Sequence, residues 1–223
     1  MMHADLRDEY LARVVRGKTF CDVGGLWGTL YEKVSVARDL GATELTMLDA
    51  ARADHELWSK FHDRMSSLGI ERCNCITADI SIVRGIAFDV VHCSGVLYHH
   101  PNPLSVLAAL KSVTREHLVL TSVVTPERVE NERGLFVLPS SAAVFVPALS
   151  KTDRAILAAH WKARGVEACG LTQPAEYRPN DFGPWWWLFT VPALRAMCEC
   201  AGFRIRDADY TWDSKAYTLL LAA

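Results

Sequence analysis

Two adjacent histidines, His99 and His100, stand just beyond residues 88–93, a short apolar run with strand character. A neutral imidazole takes a proton from a hydroxyl near working pH, so either ring could serve as a general base. Neighbours in a loop diverge in direction, so one of the pair faces a substrate, and His99 is the preferred candidate. Capping the next helix or bonding a backbone carbonyl is the competing role for each. Two histidines plus nearby acids could also bind a metal, but no helical pair of histidines at ligand spacing occurs and no metal is expected. Earlier in the chain, Phe20-Cys21-Asp22-Val23-Gly24-Gly25-Leu26-Trp27-Gly28 places glycines directly after an apolar run. Such a turn lets a ligand approach the backbone, with helix N–H groups facing it. Gly24 and Gly28 are four apart, which does not fit the dinucleotide fingerprint.

The elements that must hold these groups alternate. Residues 5–16 read as an amphipathic helix, and strands are expected at 19–23, 44–49, 72–77, 88–93 and 117–124. Helices are expected between them at 28–40, 52–67 and 103–114. This rhythm predicts a parallel sheet with right-handed crossovers. Near the end, Thr190 as N-cap and Pro192 in the first turn open a helix at 191–201, closed by Gly202. Two further strands, 203–210 and 216–221, are joined by a link too short for anything but antiparallel pairing. The fold expected is α/β, a doubly wound Rossmann-like seven-stranded sheet, mostly parallel with one antiparallel strand.

With these elements in place, the chain resembles the class I S-adenosylmethionine-dependent methyltransferases of small-molecule type. Asp22, Gly24 and Gly28 match that family's acid-x-Gly-x-Gly-x-Gly turn, in which Gly25 also lies; Leu26 stands where the central glycine is common. Asp49 closes the second strand, where the resemblance implies an acid accepting from both ribose hydroxyls. Asp79 follows the third, where an acid meets the adenine amino group, with Ile80 against the ring. Residues 88–94, ending at Ser94, look like the fourth family motif, and Ala201-Gly202-Phe203 looks like the usual lead into the sixth strand. Gly95-Val96-Leu97-Tyr98-His99 is similar to a segment of enzymes that carboxymethylate wobble uridine in tRNA and of many small-molecule methyltransferases. The implied cofactor is S-adenosylmethionine, with S-adenosylhomocysteine as product.

Residues 125–189 are too long for a plain connection and hold a helical piece near 151–164. They are expected to form a substrate-covering insertion over the active-site edge of a single domain spanning 1–223. Tyr177, Trp185 and Trp186 in the insertion, with Tyr98, are candidate acceptor contacts, although packing the insertion onto the sheet explains the same aromatics. The expected enzyme is an O-methyltransferase of secondary metabolism acting on a sugar or similar hydroxyl. An RNA-modifying enzyme, a non-catalytic cofactor-binding partner subunit and a nicotinamide-dependent reductase are the alternatives.

Composition narrows these. The 223 residues carry a formal charge of -2 with no block of consecutive Lys or Arg, so nucleic acid is not an expected partner. No signal-peptide pattern and no membrane-spanning apolar run occur, and a cytoplasmic protein is expected. The seven cysteines, whose close pairs Cys73–Cys75 and Cys198–Cys200 miss zinc-knuckle spacing, read as buried, reduced thiols. A homodimer is left open.

Overall fold

The computed structural model describes residues 5–167, 170–173, 175–179 and 181–223. Helix α1 (Leu6–Val14) starts where the Asp5 carboxylate accepts from the Arg7 N–H. Strand β1 (Thr19–Val23) then leads through a tight turn (Gly25–Tyr31) to the short helix α2 (Val34–Asp39). The alternation continues with β2 (Glu44–Asp49), α3 (Glu56–Ser67), β3 (Asn74–Thr77), β4 (Phe88–Ser94), α4 (Pro103–Val113) and β5 (Thr114–Val123). The stretch between β5 and α6, expected to be an insertion, holds the hairpin β6 (Arg128–Asn131) and β7 (Gly134–Val137), then β8 (Ala143–Phe145), α5 (Lys151–Ala163) and β9 (Trp187–Phe189), which pairs with β8. Helix α6 (Val191–Cys200) and strands β10 (Arg204–Thr211) and β11 (Ala216–Ala222) complete the chain.

Seven strands form one sheet in the order β10-β11-β5-β4-β1-β2-β3, and β11 runs antiparallel to both of its neighbours. This is the expected doubly wound sheet. Strand periodicity sends successive side chains to opposite faces. Phe20, Val90, Val119 and Leu220 therefore face α1–α3, while Cys21, Val91, Leu118 and Leu219 face α4, α6 and the insertion. Chain order runs outward from β1 through β2 to β3 on one side and from β4 to β5 on the other, where β11 then lies inside β10. The crevice at the carboxyl ends of β1 and β4 is therefore the ligand position of such sheets. Among the described residues, no helix is long and apolar enough to cross a membrane.

Three expectations need correction. The helix expected at 28–40 is broken: Gly28 leaves helical geometry at φ -110, ψ 42, and only Val34–Asp39 is α-helical. The break serves buried carboxylates. The Lys33 N–H donates to Asp22 Oδ2 at 2.8 Å, and Glu32 accepts from the Ser35 N–H at 2.8 Å. Thr190 sits at the start of α6, but its hydroxyl caps nothing there; it donates to the carbonyls of Ser140 and Ala142 and ties the insertion down. The cysteines are not uniformly buried. Cys21, Cys93 and Cys198 are buried and Cys73 is half-buried, while Cys75 and Cys200 are exposed. Strand β3 lies at the sheet edge, and positions two apart on a helix do not share a face. Cys169 lies outside the described residues.

Candidate active site

The turn after β1 is shaped by its own acid. Gly24 is left-handed at φ 78, and a Cβ there would come within 2.3 Å of Val96 Cγ2. A Cβ on Gly25 would meet Asp22 Oδ2 at 2.5 Å, so the chain folds back on the carboxylate only because no side chain intervenes. Gly28 has nothing within 4 Å of its missing Cβ and leaves the turn open where it borders the crevice. Leu26 does not block this surface. Its side chain is buried against the α1–α3 face, and its N–H donates to Asp49 Oδ2 at 3.2 Å.

The three strand-end acids differ in environment. Asp22 is 0% exposed and, besides the Lys33 N–H, contacts His92 Nδ1 at 2.7 Å. Parallel register alone puts them together, since Asp22 of β1 lies opposite His92 of β4. Asp49 is buried, and burial pushes its carboxyl pKa up against the N–H groups of Ala51 and Leu26, which favour the ion. Asp79 caps the turn Ile80–Ile82 through the Ser81 N–H. Burial pushes Asp79 up as well, but hydrogen bonds from His100 and Ser81 outweigh it and hold the carboxyl below its ordinary value. Ile80 is buried beside it and lines the crevice.

The two histidines diverge, as adjacent loop residues must. His99 Nδ1 lies 3.2 Å from the Pro184 carbonyl, which can only accept, so Nδ1 carries the proton and Nε2 holds the lone pair when the ring is neutral. Burial lowers the His99 pKa, against weaker opposition from the carbonyls of residues 182–184. His100 uses both ring nitrogens on the protein: Nε2 lies 3.3 Å from Asp79 Oδ2, and Nδ1 lies 3.0 Å from the Asn102 N–H. Its ring also stacks on Phe182, centroids 5.1 Å apart. His100 thus holds the Asp79 loop in place through both ring nitrogens, whereas His99 makes its hydrogen bond through Nδ1.

These groups border one cavity of about 1570 Å³, larger than the roughly 300–1,000 Å³ of an ordinary small-molecule pocket. Asp22, Gly24, Gly25, Gly28, Asp49, Asp79, Ile80, Ser94, Tyr98, His99 and His100 all line it. Tyr98 is buried, and burial pushes its phenol pKa up. The other three aromatic candidates do not line the cavity. Trp185 packs on Trp161 and Tyr98, Trp186 on Phe145 and Tyr177, and the Tyr177 hydroxyl donates to the Trp185 carbonyl. They fasten the insertion: the Trp186 N–H donates to the Tyr98 carbonyl and Trp187 Nε1 to that of Pro101. Among the described residues of this stretch, Asp181, Phe182 and Gly183 reach the cavity.

Sequence reasoning missed Arg7, His92 and Trp212. His92 had a signal, as the polar residue at the centre of an apolar strand. Arg7 had none: it lines the cavity because α1 lies beside β5 and β11, and its guanidinium sits 5.3 Å from the Trp212 ring centroid. Trp212, Asp213 and Ser214 are all left-handed, at φ 52, 53 and 61, without a glycine to announce the turn. The cavity wall carries nine carboxylates against one guanidinium; Asp5 is paired with Arg7 and Lys33 and Glu32 with Arg64, which leaves the surface acidic in balance. No group of three or more His, Cys, Asp or Glu positioned for a metal occurs among the described residues.

A family model described as a methyltransferase domain matches residues 3–208. Comparison with curated proteins gives no match. Among solved structures, magnesium protoporphyrin IX methyltransferase (ChlM) from Synechocystis PCC 6803 with bound SAH is similar, at TM-score 0.60 and 16% identity over 97% of this chain and 81% of that one. The glycopeptide N-methyltransferase MtfA complexed with SAH superposes at TM-score 0.59 and 15% identity, over 99% of this chain and 90% of that one. The mitomycin 7-O-methyltransferase MmcR gives 0.59 and 13% over 97% of this chain, which spans 53% of its length. At these identities the likeness is one of fold.

Proposed function

Because the chain belongs to the methyltransferase-domain family, whose model matches residues 3–208, we propose that it methylates a hydroxyl oxygen of a small molecule. S-adenosylmethionine is the methyl donor and S-adenosylhomocysteine the product. The observation that carries this reading is the meeting, in one cavity, of Asp49 and Asp79 at strand ends with His99, whose proton is fixed on Nδ1. The solved structures that the fold resembles include proteins described as having this product bound, which supports the choice of cofactor. The residues present fit that cofactor: an open glycine turn, a buried carboxylate for a ribose, a second for an adenine amino group, and a carboxylate-rich wall for a sulfonium.

When bound, S-adenosylmethionine supplies an electrophilic methyl group. The chain aligns the acceptor, excludes water and moves one proton. With the donor bound, His99 Nε2 would take the hydroxyl proton as the methyl group leaves sulfur for the acceptor oxygen, and a ring whose pKa burial lowers is ready to do so. Asp49 would hold the ribose, and Asp79, steadied by His100, would hold the adenine edge beside Ile80. The Gly24–Gly28 turn, Ser94 and Arg7, which line the same cavity, would take the amino-acid end. The insertion, residues 125–189, covers the acceptor through Asp181, Phe182 and Gly183. The six described cysteines are free thiols, which supports a reducing, cytoplasmic setting.

Calorimetry with S-adenosylhomocysteine on wild type and Asp49→Ala tests the cofactor site. Micromolar binding, lost in the variant, is the expected result, and no binding to the wild type overturns the reading.

A further inference from the structure

The seven-stranded sheet ends on β10, and no strand pairs with its outer side among the described residues. Along this edge run Arg204, Ile205, Arg206, Asp207, Ala208 and Asp209. Two arginines at alternate positions are followed by two aspartates at alternate positions, so the order of charge reverses sign when read from the other end. All four charged residues are exposed. Asp207 pairs with Arg13 at 2.6 Å, but Arg204, Arg206 and Asp209 have no ion-pair partner among the described residues.

The backbone of the edge is set in the same pattern. The Val124 N–H donates to the Lys215 carbonyl at 3.1 Å, so Lys215 and, by alternation along β11, Tyr217, Leu219 and Leu221 turn their backbone groups toward β5. Opposite them on β10 lie Tyr210, Ala208 and Ile205, whose backbone groups therefore turn outward. The Ala208 and Tyr210 N–H groups donate to the side chains of Asp207 and Asp209 instead, at 2.9 and 2.7 Å. Ile205 and Ala208 are three apart and would ordinarily point opposite ways. The register shift between Ile205 and Asp207 makes Arg206 an extra, bulged residue, and that resets the alternation.

We propose that β10 pairs antiparallel with β10 of a second copy of this chain, about a two-fold axis between Arg206 and Asp207. In this register Ile205 stands opposite Ala208 of the second copy, both with outward backbone groups. Arg204 stands opposite Asp209 of the second copy. Arg204 and Asp209 share a sheet face, since their β11 partners are Ala222 and Thr218. Directly opposite residues on one face approach to about 4.5–5.5 Å at Cβ, within reach of an ion pair. Two-fold symmetry makes every contact twice. Charge on an edge strand commonly repels another strand, and one sign throughout would do so here. The order found instead attracts its own copy. A contact limited to one strand is small beside the roughly 1,200–2,000 Å² of stable interfaces, so the dimer dissociates on dilution and with added salt.

The test is sedimentation velocity of the full chain at rising concentration and low salt, on wild type, Arg204→Asp and Asp209→Arg. Thermal unfolding checks that the variants remain folded. The wild type should show a concentration-dependent monomer–dimer equilibrium. Each variant sets like charges opposite one another and should associate more weakly by about tenfold or more. An equimolar mixture of the two variants should recover the dimer, because each all-acidic contact then meets an all-basic one. If a single variant fails to fold, the double variant Arg204→Asp/Asp209→Arg, which restores opposite charges, should dimerise like the wild type. A wild type that stays monomeric overturns the proposal, and so does a dimer that neither variant weakens, which would use another face. A mixture no more associated than its components overturns the register.

Discussion

His92 Nδ1 lies 2.7 Å from Asp22 Oδ1 within the sheet, where the first strand meets the fourth. Asp22 also accepts the Lys33 N–H, so one enclosed carboxylate joins β1, β4 and the end of the glycine turn. It is the structural keystone of the turn before it is anything else.

Asp22→Ala should therefore be costly even without ligand. Two buried donors lose their acceptor, at about 1–3 kcal/mol each. Urea unfolding of the variant should show a lower midpoint with an unchanged slope. A loss below about 1 kcal/mol would mean that the turn is held by other contacts.

Cofactor affinity should depend on pH through Asp49. In the proposed site, ribose hydroxyls would donate to the ionised carboxylate, and burial raises the pKa of this group. Affinity for S-adenosylhomocysteine should be full above that raised value and fall as pH drops through it, at a pH above the ordinary aspartate value of about 3.9. Asp49→Asn should flatten this acid limb in calorimetric titrations. An equal acid limb in the variant would assign it elsewhere.

His99 and His100 should separate kinetically. His99→Gln should lower kcat by about 10²–10⁴-fold while leaving cofactor affinity near that of the wild type. Because burial lowers the His99 pKa, kcat should hold as pH falls through about 6.5 and decline only below it. His100→Ala releases Asp79 and should raise the cofactor KM instead. Identical effects from the two variants would refute the division of labour.

The tryptophans should divide by burial. Trp185, 5% exposed against Trp161 and Tyr98, should cost about 3–5 kcal/mol as Trp185→Ala. Trp27, 77% exposed, should change stability by no more than about 0.5 kcal/mol as Trp27→Ala. Thermal or urea unfolding of both variants decides.

Thiol labelling of the native protein, mapped by peptide mass, should modify Cys75 and Cys200 rapidly. Cys21, Cys93 and Cys198 should react only on unfolding, because burial both shields these thiols and pushes their pKa up. Fast labelling of Cys21 or Cys93 would place an opening in the centre of the sheet.

The sequence by itself determined the sheet. Apolar runs of strand length, acids at their ends, glycines after the first and a short final link specify alternation, direction and the reversed strand, because period and turn chemistry are local properties of the chain. Local pattern also marked Asp22, Asp49 and Asp79, since a strand's end is visible in its own residues. What the tertiary structure decided is which atoms remain unspent. Leu26 turns into the core, and only the packed α1–α3 face shows that it does. The choice between His99 and His100 rests on a carbonyl 85 residues away and a carboxylate 21 residues away. The packing of the insertion's tryptophans likewise follows from how distant segments meet. Hydrogen-bond satisfaction is a property of the folded neighbourhood, so a free nitrogen and a bonded one look the same in the sequence.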